Sequence, residues 1–349
     1  MIPVFDGHND FLQRAVAAPE GAAALWVQGD GTGHLDLPRA RAGGFAGGFF
    51  AIWIPVEDGP NDPAAARLME EPPFAMPLPP EVPYSAALPH AMAQAGALMA
   101  MARTGTLDIV RDAAGIRRSM AAGRIAAILH MEGAEAIDTP DALHLWHAMG
   151  LRSLGPVWSR PTRYAHGVPF AFPSAPDTGP GLTDAGKALL REANALRIML
   201  DLSHLNEAGF RDVAKLSDAP LVASHSCAHA ICASSRNLTD WQLDAIAASG
   251  GLVGLNYAVS FLRDDGRRIA FDEFDPMLRH LDHLLERLGE SGVALGSDFD
   301  GALIPNDLAD VSRLPDLIAA MRDHGYDEAL IRRIAADNWI GLLERTWGG

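Results

Sequence analysis

Eight short apolar segments recur along the chain, and most are followed by a segment with helical periodicity. Each has the length and composition of a buried parallel strand. They span residues 2–6, 48–54, 125–130, 152–157, 198–202, 220–224, 252–256 and 293–297. Amphipathic helices are predicted at 182–197, 206–216, 239–248 and 276–288. Because strands and helices alternate in this way, we predict an α/β fold, a closed TIM-type (β/α)8 barrel rather than an open sheet.

The chain has 349 residues, a length that one barrel domain can reach, and it shows no internal repeat or low-complexity linker. We therefore expect residues 1–349 to form a single domain. Residues 57–89 are dense in proline and predict a surface loop over the barrel mouth. Residues 159–181 are rich in Pro, Gly and aromatic residues, which is typical of a loop that shapes a substrate pocket. Residues 314–347 predict two closing helices.

Charge and cysteine content exclude several classes of function. The chain carries 28 Lys and Arg against 44 Asp and Glu, a net charge of −16. Such a surface repels phosphate backbones and anionic lipid, so we expect neither nucleic acid nor a membrane as partner. No apolar stretch approaches the roughly 18–20 residues of a membrane span, and the first residues lack signal-peptide features. Two cysteines, Cys227 and Cys232, exclude a disulfide scaffold and favour a reduced cytoplasmic location.

Histidines and carboxylates stand where the predicted strands end. The carboxyl ends of all strands in a parallel barrel meet on one face, where the connecting loops build the active site. The residues concerned are His8, Asp10, Glu132, His204, His225 and Asp298. Nitrogen and oxygen ligands without cysteine suit zinc or another divalent metal in a catalytic site. The sequence therefore predicts a metal site at this face.

The spacing of these residues indicates two ions. His8 and Asp10 are two apart, so on a strand they point to the same side and can bind one ion. Glu132 comes from another strand and could bridge two ions through its two oxygens, while His204 and His225 could hold the second ion. Each residue alone has an ordinary structural explanation, such as a helix-cap region at His204. Their joint placement favours the metal site, because unpaired charge in a barrel mouth is costly.

Six motifs in this order resemble the membrane dipeptidase (renal dipeptidase) family of zinc metallopeptidases, within the amidohydrolase-like barrels. They are DGHND at 6–10, EG at 132–133, LSH at 202–204, SHS at 224–226, RN at 236–237 and GSDFDG at 296–301. Together they span nearly the whole chain. The resemblance implies a dinuclear Zn²⁺ site at the carboxyl ends of the strands.

Roles for individual residues follow from the resemblance. It implies that His8 and Asp10 bind the first zinc ion and that Glu132 bridges the two ions. His204 and His225 would then bind the second ion.

The same resemblance implies a dipeptidase whose substrates include L-Xaa-D-Xaa dipeptides and whose attacking group is a metal-bridged hydroxide. Arg236 would bind the substrate carboxylate, since a guanidinium matches its two oxygens, and Asp298 would shuttle protons. Because the chain lacks the secretory signal and lipid-anchor segment of the animal enzymes, we expect a soluble bacterial-type member. A homodimer is compatible with the sequence.

One position departs from the family pattern. The family usually has a substrate-binding histidine at the end of strand four, where this chain has Trp158. An indole can donate one hydrogen bond but cannot become a cation. We therefore predict that Trp158 contacts substrate and that His166, in the loop just beyond, takes over the polar role.

Two alternatives remain open at the level of sequence. One is a different amide or ester hydrolase on the same barrel, such as a lactonase, a deaminase or a cyclic amidase. Those barrels often use a carboxylated lysine as bridging ligand, and no lysine lies at a predicted strand end, whereas Glu132 does. The other is a non-catalytic metal-binding or substrate-sensing protein, for which Trp158 is the best support. Hydrolytic turnover after metal reconstitution separates them.

Overall fold

The computed structural model describes residues 1–56, 59 and 62–348. In this part of the chain the strands are β1 Val4–Asn9, β2 Phe45–Trp53, β3 Phe74–Ala75, β4 Leu107–Ile109, β5 Ile125–Glu132, β6 Leu151–Gly155, β7 Ala171–Phe172, β8 Met199–Leu200, β9 Val222–Ser226, β10 Leu252–Leu255 and β11 Val293–Leu295. The helices of the first half are α1 Phe11–Ala17, α2 Ala22–Gln28, α3 Leu37–Gly43, α4 Pro63–Glu70, α5 Tyr84–Ala102, α6 Ala113–Ala121 and α7 Pro140–Met149. Those of the second half are α8 Asp184–Ala195, α9 Glu207–Leu216, α10 Asp240–Ala248, α11 Val259–Leu262, α12 Asp275–Leu288, α13 Leu314–His324, α14 Glu328–Arg332 and α15 Asn338–Trp347. A 3-10 turn, Val311–Arg313, precedes α13, and a π-helical turn, Arg333–Asp337, joins α14 to α15.

Eight parallel strands close into a ring. Five of them pair in the order β1-β2-β5-β6-β8, and the other three pair in the order β11-β10-β9. Single parallel bridges join the two groups, from Asp201 to Val222 on one side and from Asn9 to Phe299 on the other. The TIM-type barrel predicted from the sequence is therefore confirmed.

Three barrel strands extend further towards their carboxyl ends than the apolar pattern predicts, and one of them is β9, which ends at Ser226 and not at residue 224. The predicted segment 2–6 continues as β1 to Asn9, and 125–130 continues as β5 to Glu132. Most of the added residues are polar and yet buried, among them His8, Glu132 and His225 at the barrel mouth. A hydrophobic pattern ends before such residues, whereas the hydrogen-bonded ladder does not.

The prediction of a loop over 57–89 is wrong for about half of that interval. It contains α4, β3 and the first turn of α5, while residues 57, 58, 60 and 61 lie outside the described part. The prolines that suggested a loop include Pro63, which starts a helix: it occupies the first turn of α4, where its missing N–H costs nothing. Asp62 caps that turn by accepting a hydrogen bond from the Ala64 N–H at 2.8 Å.

Three strands lie outside the predicted barrel pattern. β3 pairs with β7 in a short antiparallel ladder, with Phe74 opposite Phe172, and so joins the two long loops over the mouth. β4 pairs in parallel with the first half of β5. Strands of two and three residues are too short for periodicity to reveal.

The amphipathic helices lie close to their predicted positions, and side-chain caps define their starts. Thr183 Oγ1 accepts a hydrogen bond from the Gly186 N–H at 3.0 Å, and Asn206 Oδ1 accepts one from the Gly209 N–H at 3.0 Å. Thr239 and Gln242 form a capping box at the start of α10. Among the described residues, no helix is both long and apolar enough to cross a bilayer.

Helix α15 closes the end of the barrel opposite the polar mouth. The buried Trp339 enters the barrel interior, where its ring lies 4.9 Å from that of Phe49 and its indole N–H donates to the Leu295 carbonyl at 2.8 Å. Gly7 admits the ring, since a Cβ there would lie 2.6 Å from the indole. The barrel is thus filled from one end, which leaves the other end for the site.

We expect Trp339→Ala to lower the free energy of unfolding by about 3–5 kcal/mol, because it removes a fully buried ring that the barrel cannot replace. Urea unfolding followed by circular dichroism measures this. Leu145→Ala is the control, since Leu145 on α7 is 68% exposed and such a change costs at most about 0.5 kcal/mol. Equal losses in the two variants would contradict the packing role of Trp339.

Candidate metal centre

The structure brings the five predicted ligands together at the carboxyl ends of the strands, all at most 7% exposed. Glu132 Oε1 lies 2.9 Å from His204 Nε2, 3.3 Å from His225 Nε2 and 3.8 Å from His8 Nε2. His8 Nε2 lies 3.4 Å from Asp10 Oδ2. These donor atoms form two groups, and the atoms of each group all lie within 4.8 Å of one another. Glu132 belongs to both groups.

The backbone around His8 is fixed by its neighbours. Asp6 accepts hydrogen bonds from the Ser297 N–H at 2.7 Å and from Ser297 Oγ at 2.8 Å, which ties β1 to the end of β11. Both ring nitrogens of His8 are nevertheless buried without a hydrogen-bond partner in the described structure. Buried polar atoms of this kind call for a partner, and a cation shared with Asp10 and Glu132 fits the donor set.

His204 and His225 face each other with their Nε2 atoms 3.2 Å apart. Their other ring nitrogens are hydrogen-bonded, His204 Nδ1 to Ser159 Oγ at 2.8 Å and His225 Nδ1 to Ser224 Oγ at 2.8 Å. Such a bond fixes the ring and its tautomer, as in known metal sites. Burial lowers the pKa of both histidines well below the usual range, which keeps them neutral, the form that binds a cation.

The electrostatic potential of the cluster also favours a cation. Burial raises the pKa of Glu132 well above its usual value. Burial alone would lower the pKa of His8, but the Glu132 and Asp10 carboxylates outweigh it and raise that pKa to about 10. The negative potential of the two carboxylates, which stabilises a proton on His8, also attracts divalent ions. The nitrogen and oxygen donors suit zinc.

Asp201 and His130 lie beside the five-residue cluster and were not predicted as site residues. Asp201 groups with His8 and His225, yet its carboxylate already accepts hydrogen bonds from the N–H and hydroxyl groups of Ser203 and Ser224. It therefore fixes the turn at Ser203 against strand β9. His130 Nε2 lies 3.5 Å from Asp201 Oδ2. A period of two along β5 places His130 on the same strand face as Glu132, and that signal could have identified it.

Asp298 lies beside the cluster in a constrained turn. Its φ is +60°, a left-handed conformation that is unusual for a residue other than glycine. Its Oδ2 accepts a hydrogen bond from Asn256 Nδ2 at 2.9 Å, and burial raises its pKa. At Gly301 an added Cβ would lie 2.0 Å from Asp10 Oδ2 and 2.5 Å from Asp298 Oδ1, so a larger residue there would displace these carboxylates.

A cavity of about 380 Å³ opens above these residues, a size typical of small-molecule sites. Asp10, Glu132, His204, His225 and Asp298 line it at one end. Trp158 also lines it, with its ring 5.9 Å from that of His204.

His166 and Arg236 are not among the residues that line this cavity in the described structure. The prediction that His166 replaces a histidine at the position of Trp158 therefore lacks geometric support: residues 161 and 166 form an antiparallel bridge, and the His166 carbonyl accepts a hydrogen bond from the Asn206 N–H. Arg236 is buried beside the cluster, where it donates to the His225 carbonyl at 2.8 Å and to Ser226 Oγ at 2.9 Å. Burial lowers its pKa.

The family model for membrane dipeptidase, peptidase family M19, matches residues 1–346. The chain belongs to this family. It is therefore a metallo-dipeptidase, which confirms the resemblance seen in the motifs.

Solved structures of similar proteins agree with this assignment. The dipeptidase is similar to a metallo-peptidase from Rhodobacter sphaeroides, crystallised with a phosphinate mimic of the dipeptide L-Ala-D-Ala, at 60% identity, a TM-score of 0.97 and 99% of each chain. It is also similar to a family M19 metallo-peptidase described as dipeptidase AC, at 59% identity, a TM-score of 0.96 and 100% and 99% of the two chains. A Klebsiella pneumoniae relative, an uncharacterized protein in the pqqA 5′ region, is 45% identical over 70% of this chain and 90% of its own.

The turn that carries Asp298 is held by a second carboxylate. Asp300 has a φ of +68°. Both its oxygens accept hydrogen bonds from Arg14 Nη1 at 3.1 Å, and Oδ1 accepts one from the His34 N–H at 2.6 Å. Two left-handed residues in one turn cost energy, and they persist because these contacts hold them. Asp300 therefore positions Asp298 without lining the cavity itself.

We expect Asp300→Ala to lower kcat roughly 10- to 100-fold, because the change would displace Asp298, the residue that the sequence predicts to shuttle protons. Steady-state kinetics together with zinc content measured by mass spectrometry test this, and the zinc content should match that of the wild type. Asp307→Ala, an exposed position in the following loop, is the control. An unchanged kcat in Asp300→Ala would remove the positioning role.

Proposed function

We propose that this dipeptidase hydrolyses dipeptides, including L-Xaa-D-Xaa dipeptides, with two zinc ions held by the five-residue cluster. The observation that supports this most strongly is the position of Glu132. Its carboxylate belongs to two groups of buried donors at one end of a small cavity. A carboxylate shared in this way is suited to bridging two ions.

His8, Asp10 and Glu132 would hold one ion, and Glu132, His204 and His225 the other. When bound, two divalent ions would supply Lewis acidity and a shared water acidic enough to act as a hydroxide nucleophile near neutral pH. The protein contributes the fixed donor positions. Ser159 and Ser224 orient the two histidine rings, so little reorganisation is needed when the substrate arrives.

Asp298 is suited to proton transfer to the leaving amine. It lines the cavity next to Asp10, and burial raises its pKa towards a range in which a carboxyl group can both accept and donate a proton. The hydrogen bond from Asn256 limits its rotation. Asp298 would take a proton from the attacking water and pass it to the leaving amine, while metal ions held by the cluster would polarise the substrate carbonyl.

Arg236 remains our proposed partner of the substrate carboxylate. Its support is a buried positive charge beside the cluster and an Nε with no hydrogen-bond partner among the described residues. Its terminal nitrogens already donate to His225 and Ser226, so we expect carboxylate binding to involve local rearrangement. A fixed cation for the terminal carboxylate would restrict the enzyme to short peptides.

The preference for a D-residue on the C-terminal side is supported by the Rhodobacter sphaeroides relative, which binds a phosphinate mimic of L-Ala-D-Ala. We expect the zinc-restored enzyme to cleave L-Ala-D-Ala, and chelation to abolish this activity until zinc returns. A coupled assay for free D-alanine measures both. Hydrolysis of a lactone or cyclic amide without cleavage of any L,L- or L,D-dipeptide would contradict the proposal in favour of another hydrolase.

Asp298→Asn preserves shape but cannot hold a transferable proton. We expect it to keep its zinc and to lose kcat by roughly 10²- to 10⁴-fold, the usual contribution of general acid–base catalysis. Stopped assays with L-Ala-D-Ala, paired with zinc analysis of the same sample, measure both quantities. Turnover comparable to the wild type would exclude Asp298 from proton transfer.

A further inference from the structure

Four aromatic side chains form a continuous aromatic wall along the cavity: Trp53, Trp158, Phe170 and Phe261. The ring centroids of Trp53 and Trp158 are 5.2 Å apart, those of Trp158 and Phe170 5.7 Å, and those of Phe170 and Phe261 6.0 Å. The wall reaches the metal centre, because Trp158 also lies 5.9 Å from the ring of His204. A substrate bound at the centre therefore has a side chain within reach of the wall.

The backbone holds the wall in place. Phe170 immediately precedes β7, and its carbonyl accepts a hydrogen bond from the Met76 N–H at 2.9 Å, which extends the β3–β7 ladder. The Ser235 N–H donates to the Ala171 carbonyl at 3.2 Å and ties this ladder to the loop after β9. Phe170 is thus fixed from two sides, so the wall exists before a ligand binds.

The positive charge of Arg160, behind the wall, is already neutralised by the carboxylate of Glu135. Arg160 is fully buried, with its guanidinium carbon 5.5 Å from the Trp158 ring and 6.0 Å from the Trp53 ring. Its Nε donates to Glu135 Oε1 at 2.6 Å and its Nη2 to the Ile54 carbonyl at 2.6 Å. A polar substrate side chain placed on the wall would lose its water without gaining a charged partner there. An apolar one would gain from burial.

Among the described residues, two charged side chains line the cavity away from the metal ligands and Asp298. Asp62 is engaged as the cap of α4. Arg268 lines the cavity as well, and its N–H donates to the Met69 carbonyl at 2.9 Å. Selection by Arg268 would favour an acidic substrate side chain, whereas selection by the wall favours an apolar one. The two can be told apart by experiment.

We propose that the aromatic wall makes this enzyme selective for dipeptides with a large apolar or aromatic side chain. The proposal rests on the function inferred above, and it names the substrate class at the same site.

The test compares nearly isosteric substrates that differ in polarity. The pairs are L-Met-D-Ala against L-Gln-D-Ala, and L-Ala-D-Met against L-Ala-D-Gln, with L-Ala-D-Ala as reference and L-Glu-D-Ala as the acidic probe. Two pairs are needed so that the result does not depend on which residue faces the wall. We expect kcat/KM to favour methionine over glutamine by about tenfold or more in at least one pair, since burying an unpaired amide is costly.

The matched variants are Phe170→Ala and Phe172→Ala. Phe172 lies two residues further on and packs against Phe74, with ring centroids 6.5 Å apart; it is not among the lining residues of the described cavity. We expect Phe170→Ala to reduce the methionine-to-glutamine ratio of kcat/KM about fivefold or more, and Phe172→Ala to leave this ratio within about twofold. Zinc content and thermal midpoint verify the fold, and Phe170→Leu replaces Phe170→Ala if the latter does not fold.

Cleavage of L-Ala-D-Ala with ratios near one in both pairs, or with L-Glu-D-Ala preferred, would overturn selection by the wall and leave the dipeptidase function intact. Equal changes of the ratio in the Phe170 and Phe172 variants would also overturn it. Failure to cleave any dipeptide would instead contradict the proposed function, and the selectivity with it.

Discussion

Burial of the Glu132 carboxylate among three histidines is the interaction on which the rest of the site depends. Its Oε1 approaches three imidazole nitrogens within 3.8 Å, and none of these groups has bulk water to stabilise its charge. An arrangement of this kind is stable only with a compensating charge. We propose that a pair of cations supplies this charge, which accounts for the two buried His8 nitrogens that have no hydrogen-bond partner among the described residues.

The barrel can hold such a cluster in fixed positions because its strands approach one another very closely. At Gly7, Gly254 and Gly296 an added Cβ would lie between 2.1 and 2.2 Å from the Ser224 carbonyl oxygen. These contacts narrow the barrel below the site, and Trp339 fills what remains. The polar residues of the site therefore lie above a closely packed layer of glycine backbone and the Trp339 ring. The aromatic wall comes from several elements: the end of β2 contributes Trp53, α11 contributes Phe261, and the segment between β6 and β7 contributes Trp158 and Phe170.

Much of this could be predicted from the sequence, and the limits have physical causes. The apolar runs of the sequence show where the strands end, and the topology of a parallel barrel brings those ends together. The proximity of His8, Glu132 and His225 could therefore be predicted from the sequence alone. The loops are different, because their paths depend on contacts distant in sequence. The β3–β7 ladder, the turn that carries His166 away from the cavity, and the engagement of Arg236 by the His225 carbonyl leave no periodic signal.

The most direct test of the account is the zinc stoichiometry of the purified dipeptidase and of its Glu132→Ala variant, measured by inductively coupled plasma mass spectrometry after dialysis against a metal-free buffer. A carboxylate shared by two ions predicts two zinc ions per wild-type chain and weakened binding of both in the variant. One ion or none in the folded wild type, or two tightly held ions in Glu132→Ala, would contradict the shared-carboxylate centre.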